Sequence, residues 1–211
     1  MLTVALPKGR LLEQLIAHFD ASGVSVAGAV AAAGRALVVE SAGLRLLLLK
    51  DADVPVYVHQ GIADCGVAGL DQLLERGVDV LRLLRFPFGH CRLCLIAEQG
   101  TEPPHGERAL VLASKYQRLT AVLAERRGLQ AEVIPLAGSV ELAARLGLAD
   151  AVVDLVETGR TLRENGLYPV EEWLQVQPYL IANRGAFVMR RDEIRALRRT
   201  LGGRDEDLAK R

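Results

Sequence analysis

The sequence is poor in the residues that staple small secreted folds. Its 211 residues include three cysteines, Cys65, Cys91 and Cys94, an odd number too small for a disulfide scaffold. Cys91 and Cys94 form a C-x-x-C, but no second pair or histidine cluster completes a zinc set, so the three read as buried thiols. The four histidines show no metal-ligand spacing: His18 and His59 fall in predicted helices, His90 and His105 in predicted loops. An excess of one charge is also missing. Twenty-six Lys and Arg face 26 Asp and Glu, which gives no electrostatic case for nucleic acid or an anionic membrane. The longest weakly polar stretch, Val24 to Gly34, falls well short of a membrane span. MLTVALPKGR is too short an apolar run for a secretory signal, and a cytoplasmic location is expected. Nucleophile elbows, Walker loops, H-E-x-x-H helices and dinucleotide fingerprints are absent as well.

What is present is an ordinary globular composition, 50% hydrophobic and 25% charged, over a length that suits one large domain or two small ones. Short apolar runs alternate with amphipathic segments, the pattern of an α/β protein with largely parallel strands. Strands are predicted at Leu2–Leu6, Arg35–Glu40, Leu44–Leu49, Ala63–Ala68, Cys91–Glu98, Ala109–Ala113, Ala131–Pro135, Ala151–Leu155, Trp173–Val176 and Tyr179–Asn183. Between them lie helices with Leu11, Leu12, Leu15 and Ile16 on one face, a helix capped by Asp53 with Pro55 in its first turn, Leu70–Arg76 closed by Gly77, Lys115–Arg127 and Val140–Leu146. A Gly/Pro-containing loop is expected at 100–106. The last helix should start at Asp192 and bury Ile194, Leu197 and Leu201, leaving a polar tail to fray. Two blocks suggest two lobes with a cleft, ligands being held at the carboxyl ends of strands.

The most informative segment is Asp154-Leu-Val156-Glu157-Thr158-Gly159-Arg160-Thr161-Leu162. An apolar strand delivers an acid at its end, and a Thr-Gly-x-Thr turn then opens a helix. Hydroxyls and free N–H groups at such a turn bind a phosphate dianion, and Asp154 is placed to accept sugar hydroxyls beside it. The competing reading is a plain helix start, with Thr161 as N-cap and Glu164 completing a capping box. Three more elbows occupy the same structural position. Gly138-Ser139-Val-Glu141 could seat ligand oxygens or merely cap a helix. Pro7-Lys8-Gly9-Arg10 puts two cations after the first strand, for a polyphosphate or for solvent. Asp64-Cys-Gly66-Val-Ala-Gly69-Leu-Asp71 lets a ligand or another backbone pass closely.

ALPKGRL at 5–11, DVPVYVHQGIADCGVAGLD at 53–71, SKYQRLT at 114–120, VIPLAGSVELA at 133–143 and DLVETGRTLRENGL at 154–167 resemble, in the same order, the ATP phosphoribosyltransferases of histidine biosynthesis. The length resembles the short form, which lacks a C-terminal regulatory domain. The resemblance implies transfer of 5-phosphoribosyl from phosphoribosyl pyrophosphate to N1 of ATP with release of pyrophosphate. It implies two periplasmic-binding-protein-like lobes with mixed, mostly parallel sheets: 1–89 with 181–211, and 90–180. Phosphoribosyl pyrophosphate would be held by Gly138, Ser139, Asp154, Val156, Glu157, Thr158, Gly159, Arg160 and Thr161, with Glu141 near the ribose. The nucleotide side would draw on Lys8, Gly9, Arg10, Arg35, Asp64, Gly69 and Asp71. Lys8, Arg10, Glu141 and Asp154 are the expected catalytic set.

Adenine N1 carries a lone pair and no proton, so no strong general base is required. Positioning, together with charge offset on the leaving pyrophosphate, can supply most of the acceleration. Mg²⁺ is expected on the pyrophosphate rather than in a protein cage. Short forms of this family work with a histidyl-tRNA-synthetase-like regulatory subunit, which implies a homodimer within a hetero-octamer. Two rival readings are a non-catalytic ligand-sensing module of the same architecture and a phosphoribosyltransferase acting on another base.

Overall fold

The computed structural model describes residues 1–98, 100 and 108–204. His105, most of the 100–106 loop and the end of the polar tail lie outside the described residues. The chain divides into two compact units, Met1–Gly89 with Gln177–Arg211, and His90–Val176.

The first unit begins with β1 (Leu2–Pro7), α1 (Arg10–Ala21), α2 (Ala27–Ala32), β2 (Val38–Ser41) and β3 (Leu44–Leu49). It continues through α3 (Val54–His59), β4 (Cys65–Gly69), α4 (Leu70–Arg76) and β5 (Leu81–Arg85). The second unit contains β6 (Cys91–Glu98), β7 (Leu110–Ser114), α5 (Gln117–Arg126), β8 (Ala131–Pro135), α6 (Glu141–Arg145), β9 (Ala151–Val156), α7 (Arg160–Glu164) and β10 (Leu167–Val176). The chain then returns to the first unit as β11 (Pro178–Ala182), α8 (Arg184–Met189) and α9 (Arg191–Thr200).

Strand order is β2-β3-β1-β4-β11-β5 in the first sheet and β10-β6-β9-β7-β8 in the second. In the first, β1 pairs in parallel with both β3 and β4. Helices on both faces bury it, which is why LTVALP reads as a continuous apolar run rather than an alternating one. The pleat still sorts the side chains: Val4 and Leu6 join one core cluster and Ala5 another. Gly66 of β4 is required by the sheet itself, because a Cβ there would meet the Ala5 carbonyl at 2.7 Å and Val58 at 3.0 Å.

The sheets are mixed as expected, but parallel pairing is not the majority. Among the described residues β7 pairs in parallel with β8 and β9, while β2–β3, β4–β11, β11–β5, β6–β9 and β6–β10 are antiparallel. A tight hairpin makes the first of these, β11 returning from the second unit makes the next two, and β6, the first strand of the second unit, makes the last two.

Several elements differ from the sequence reading. The expected strand at Trp173–Val176 is the end of a ten-residue strand, β10, whose alternation is broken by register shifts at Pro169/Glu171 and Glu172/Leu174. Neither α2 nor α8 has a fully buried residue; each touches the first core through only two half-buried side chains, Ala29 with Val30 and Ala186 with Phe187, too little for a readable amphipathic stripe. Asp53 occupies the N-cap position of α3, but its side chain makes no cap bond. All three cysteines are free, Cys65 and Cys94 buried and Cys91 only half-buried. Cys91 and Cys94 are three apart on one strand, so their side chains leave opposite faces of the sheet. Among the described residues no group of three or more His, Cys, Asp or Glu could hold a metal ion.

Candidate functional site

Strands β7, β8 and β9 run parallel, so their carboxyl ends share one edge of the second sheet. Three connections leave that edge: Lys115–Tyr116 after β7, Leu136–Val140 after β8 and Glu157–Gly159 after β9. Asp154 lies near the end of β9 with 8% of its surface exposed. Its Oδ1 accepts from the Leu155 N–H at 2.8 Å and lies 3.2 Å from Lys115 Nζ. Burial pushes the carboxyl above its ordinary value, and Glu141 at the start of α6 pushes the same way, while Lys115 opposes both. Such a group is ready to take hydrogen bonds from neutral hydroxyls.

The backbone around it is shaped rather than regular. Ser139 holds φ at +47°, a left-handed conformation that a non-glycine residue adopts at a cost and that is enriched where function imposes geometry. Gly159, at φ +68°, stands at the N-cap of α7. Arg160 N–H donates to Thr158 Oγ1 at 3.4 Å and Arg163 donates to the Thr158 carbonyl at 3.2 Å. The capping box does not form. Thr161 lies inside the helix, and Glu164 pairs with Arg160 at 2.8 Å on the exposed face. The exposed Thr158 and Thr161 and the first-turn N–H groups are thus displayed at the sheet edge.

The first unit builds a second edge in the same way. Lys8, Gly9 and Arg10 follow β1, exposed, with the Lys8 N–H bonded to the Leu49 carbonyl at 2.8 Å. Pro7 is abreast of Leu49, and the β1–β4 register continued to its end sets Gly69 beside Lys8. Asp71 is 5% exposed, and a Cβ on Gly69 would collide with its carboxylate. Gln72 donates to Asp71 at 3.2 Å and lies 3.5 Å from Asp51.

Two residues assigned to the nucleotide side lie elsewhere in this unit. Asp64 precedes β4 at the opposite, amino edge, where it accepts from the Thr3 N–H at 2.7 Å and pairs with Arg190 at 2.6 Å. That ties two strand starts to the turn before α9. Arg35 is exposed in the connection from α2 to β2. Conversely, Lys115 and Asp51 were not picked out by the sequence reading. Each is a polar residue directly or almost directly after an apolar run, the only local signal either carries.

A family model of ATP phosphoribosyltransferase matches residues 50–203. A Deinococcus deserti protein named ATP phosphoribosyltransferase is 43% identical over 196 residues, covering 93% of this chain and 89% of its own. The chain belongs to the ATP phosphoribosyltransferase family. Another ATP phosphoribosyltransferase, from Sulfurimonas denitrificans, is 39% identical over 194 residues, 92% of this chain and 91% of that one. Among solved structures the chain is similar to one from the Thermotoga maritima ATP phosphoribosyl transferase (HisG:HisZ) complex, with TM-score 0.82, 30% identity and coverage of 95% and 96%. A periplasmic VFT2 domain of Bordetella pertussis BvgS, at TM-score 0.57, 14% identity and coverage of 95% and 91%, shares the fold. The activity is that of an ATP phosphoribosyltransferase, a pentosyl transferase at the first step of histidine biosynthesis.

Proposed function

We propose that the second unit is the phosphoribosyl pyrophosphate lobe and the first the nucleotide lobe, the 5-phosphoribosyl group passing to N1 of ATP as its C1–O bond to pyrophosphate breaks and a C1–N1 bond forms. The observation that carries this reading is the buried Asp154 carboxylate immediately before the exposed Thr158-Gly159-Arg160-Thr161 turn. Asp154 accepts the ribose hydroxyls. Gly138, Ser139 and Glu141 border the sugar from the β8–α6 connection. Val156, Glu157, Thr158, Gly159, Arg160 and Thr161 surround the 5-phosphate, with hydroxyls and backbone N–H groups as donors.

Lys8 and Arg10 offset charge on the departing pyrophosphate, and Gly9, Gly69 and Asp71 border the nucleotide. Holding both reactants in line is worth roughly 7–11 kcal/mol of barrier, which accounts for a site without a strong base. Mg²⁺ enters as part of the phosphoribosyl pyrophosphate substrate, because it retains waters and favours substrate phosphates.

The Thermotoga maritima neighbour is a HisG:HisZ complex, and this supports assembly of the present chain with a HisZ-like regulatory subunit; a homodimer within a hetero-octamer is the arrangement the family resemblance implies. Among the described residues no helix is long and apolar enough to cross a membrane; work in the cytoplasm is the reading that fits a biosynthetic enzyme family. Pyrophosphate release is the test. With ATP, Mg²⁺–phosphoribosyl pyrophosphate and the regulatory subunit present, the wild-type chain releases pyrophosphate and Asp154→Asn does not. Full release by the variant would remove Asp154 from the site.

A further inference from the structure

We propose that Lys115 is a positioning residue for the phosphoribosyl donor, its ammonium fixing the orientation and charge of the Asp154 carboxylate. The inference rests on the phosphoribosyl reading of this sheet edge. Lys115 directly follows β7, and the β7–β9 register sets Ser114 opposite Val153, so Lys115 comes level with Asp154. Its backbone is fixed on both sides: buried Ser114 donates through Oγ to the Val153 carbonyl at 2.6 Å and accepts from the Tyr116 N–H at 3.0 Å. The ammonium and the Leu155 N–H both fall on Oδ1, so Asp154 is gripped by one oxygen and presents the other.

The titratable and charged groups facing Asp154 are few. Lys115 comes from the β7–α5 connection and Glu141 from α6. Cys94 lies directly across on β6, and burial pushes its thiol up, so it stays neutral. Removing the ammonium leaves burial and the Glu141 charge, which favour the protonated form of Asp154, opposed by the Leu155 N–H. A protonated carboxyl offers a donor where the ribose needs an acceptor.

The test compares Lys115→Met, Lys115→Arg and the wild type. The Asp154 midpoint is read by carboxyl-carbon NMR on the ligand-free chain, alongside the pH dependence of affinity for Mg²⁺–phosphoribosyl pyrophosphate. In Lys115→Met the midpoint rises by about one pH unit or more, and the acid limb of binding moves up with it. Lys115→Arg restores both. An Asp154 midpoint unmoved in Lys115→Met overturns the inference, whatever the affinity does. Asp154→Asn serves as the separate control. Normal binding by that variant overturns the reading of the edge, while leaving the Lys115 effect on the Asp154 midpoint measurable.

Discussion

Asp154 is a residue whose chemistry and stability pull in opposite directions. Its folded value lies above the unfolded one, chiefly because of burial, so the native state binds the proton more tightly than the unfolded chain. The contribution of Asp154 to stability is therefore greatest at acid pH, falls as pH climbs from 3.8 through the raised value, and stays low above it. Asp154→Asn removes the buried charge and keeps an acceptor for Leu155 N–H. Its melting temperature at neutral pH should equal or exceed that of the wild type, with the gap closing in acid, although phosphoribosyl pyrophosphate no longer binds. A clear loss of stability at neutral pH would contradict this. Ser139 allows a similar separation. Ser139→Gly relieves the φ of +47° and should gain about 1 kcal/mol, whereas Ser139→Ala keeps the strain. Both lose the hydroxyl, so both should weaken donor binding, and denaturant melts with calorimetry distinguish the two effects.

Among the elements, the glycines of β4 serve two different ends. Gly66→Ala drives a Cβ against the Ala5 carbonyl in a strand pair that cannot part without opening the first core. A loss of about 1–3 kcal/mol is expected, with nucleotide affinity of the folded fraction unchanged. Gly69→Ala drives its Cβ into the buried Asp71 carboxylate. It should displace that side chain and weaken ATP binding, as titration with ATP would show. The sequence made strands β1, β7 and β9 readable because burial on both faces leaves nearly uninterrupted apolar runs. It concealed β10 behind Pro169 and two register shifts, and it concealed α2 and α8 because neither buries a stripe. The Thr-Gly-x-Thr turn was readable because its chemistry is local. Lys115 was not, because its meaning comes from a strand distant in sequence. The edge on which Asp64 lies was not readable, because a carboxylate next to a strand looks the same at either end of it and only the register tells amino edge from carboxyl edge.

At the scale of the whole molecule, the fold is shared with a periplasmic VFT2 domain of Bordetella pertussis BvgS at 14% identity, so architecture alone does not fix the activity. Membership of the family does; of the two carboxyl edges, one is acidic and hydroxyl-lined and the other bears Lys8 and Arg10. A ligand that binds only the folded chain stabilises it by about 2.7 kcal/mol at a hundredfold excess over its Kd. Mg²⁺–phosphoribosyl pyrophosphate should therefore raise the melting temperature of the wild type and leave Asp154→Asn where it was. Adding the HisZ-like subunit should raise pyrophosphate release from the chain, and unchanged release would count against that partnership. The most direct measurement is calorimetric titration of the isolated chain and of Asp154→Asn with Mg²⁺–phosphoribosyl pyrophosphate at neutral pH. Saturable binding by the wild type, abolished in a variant that remains folded, is the predicted result. Equal binding by the two proteins would contradict the account.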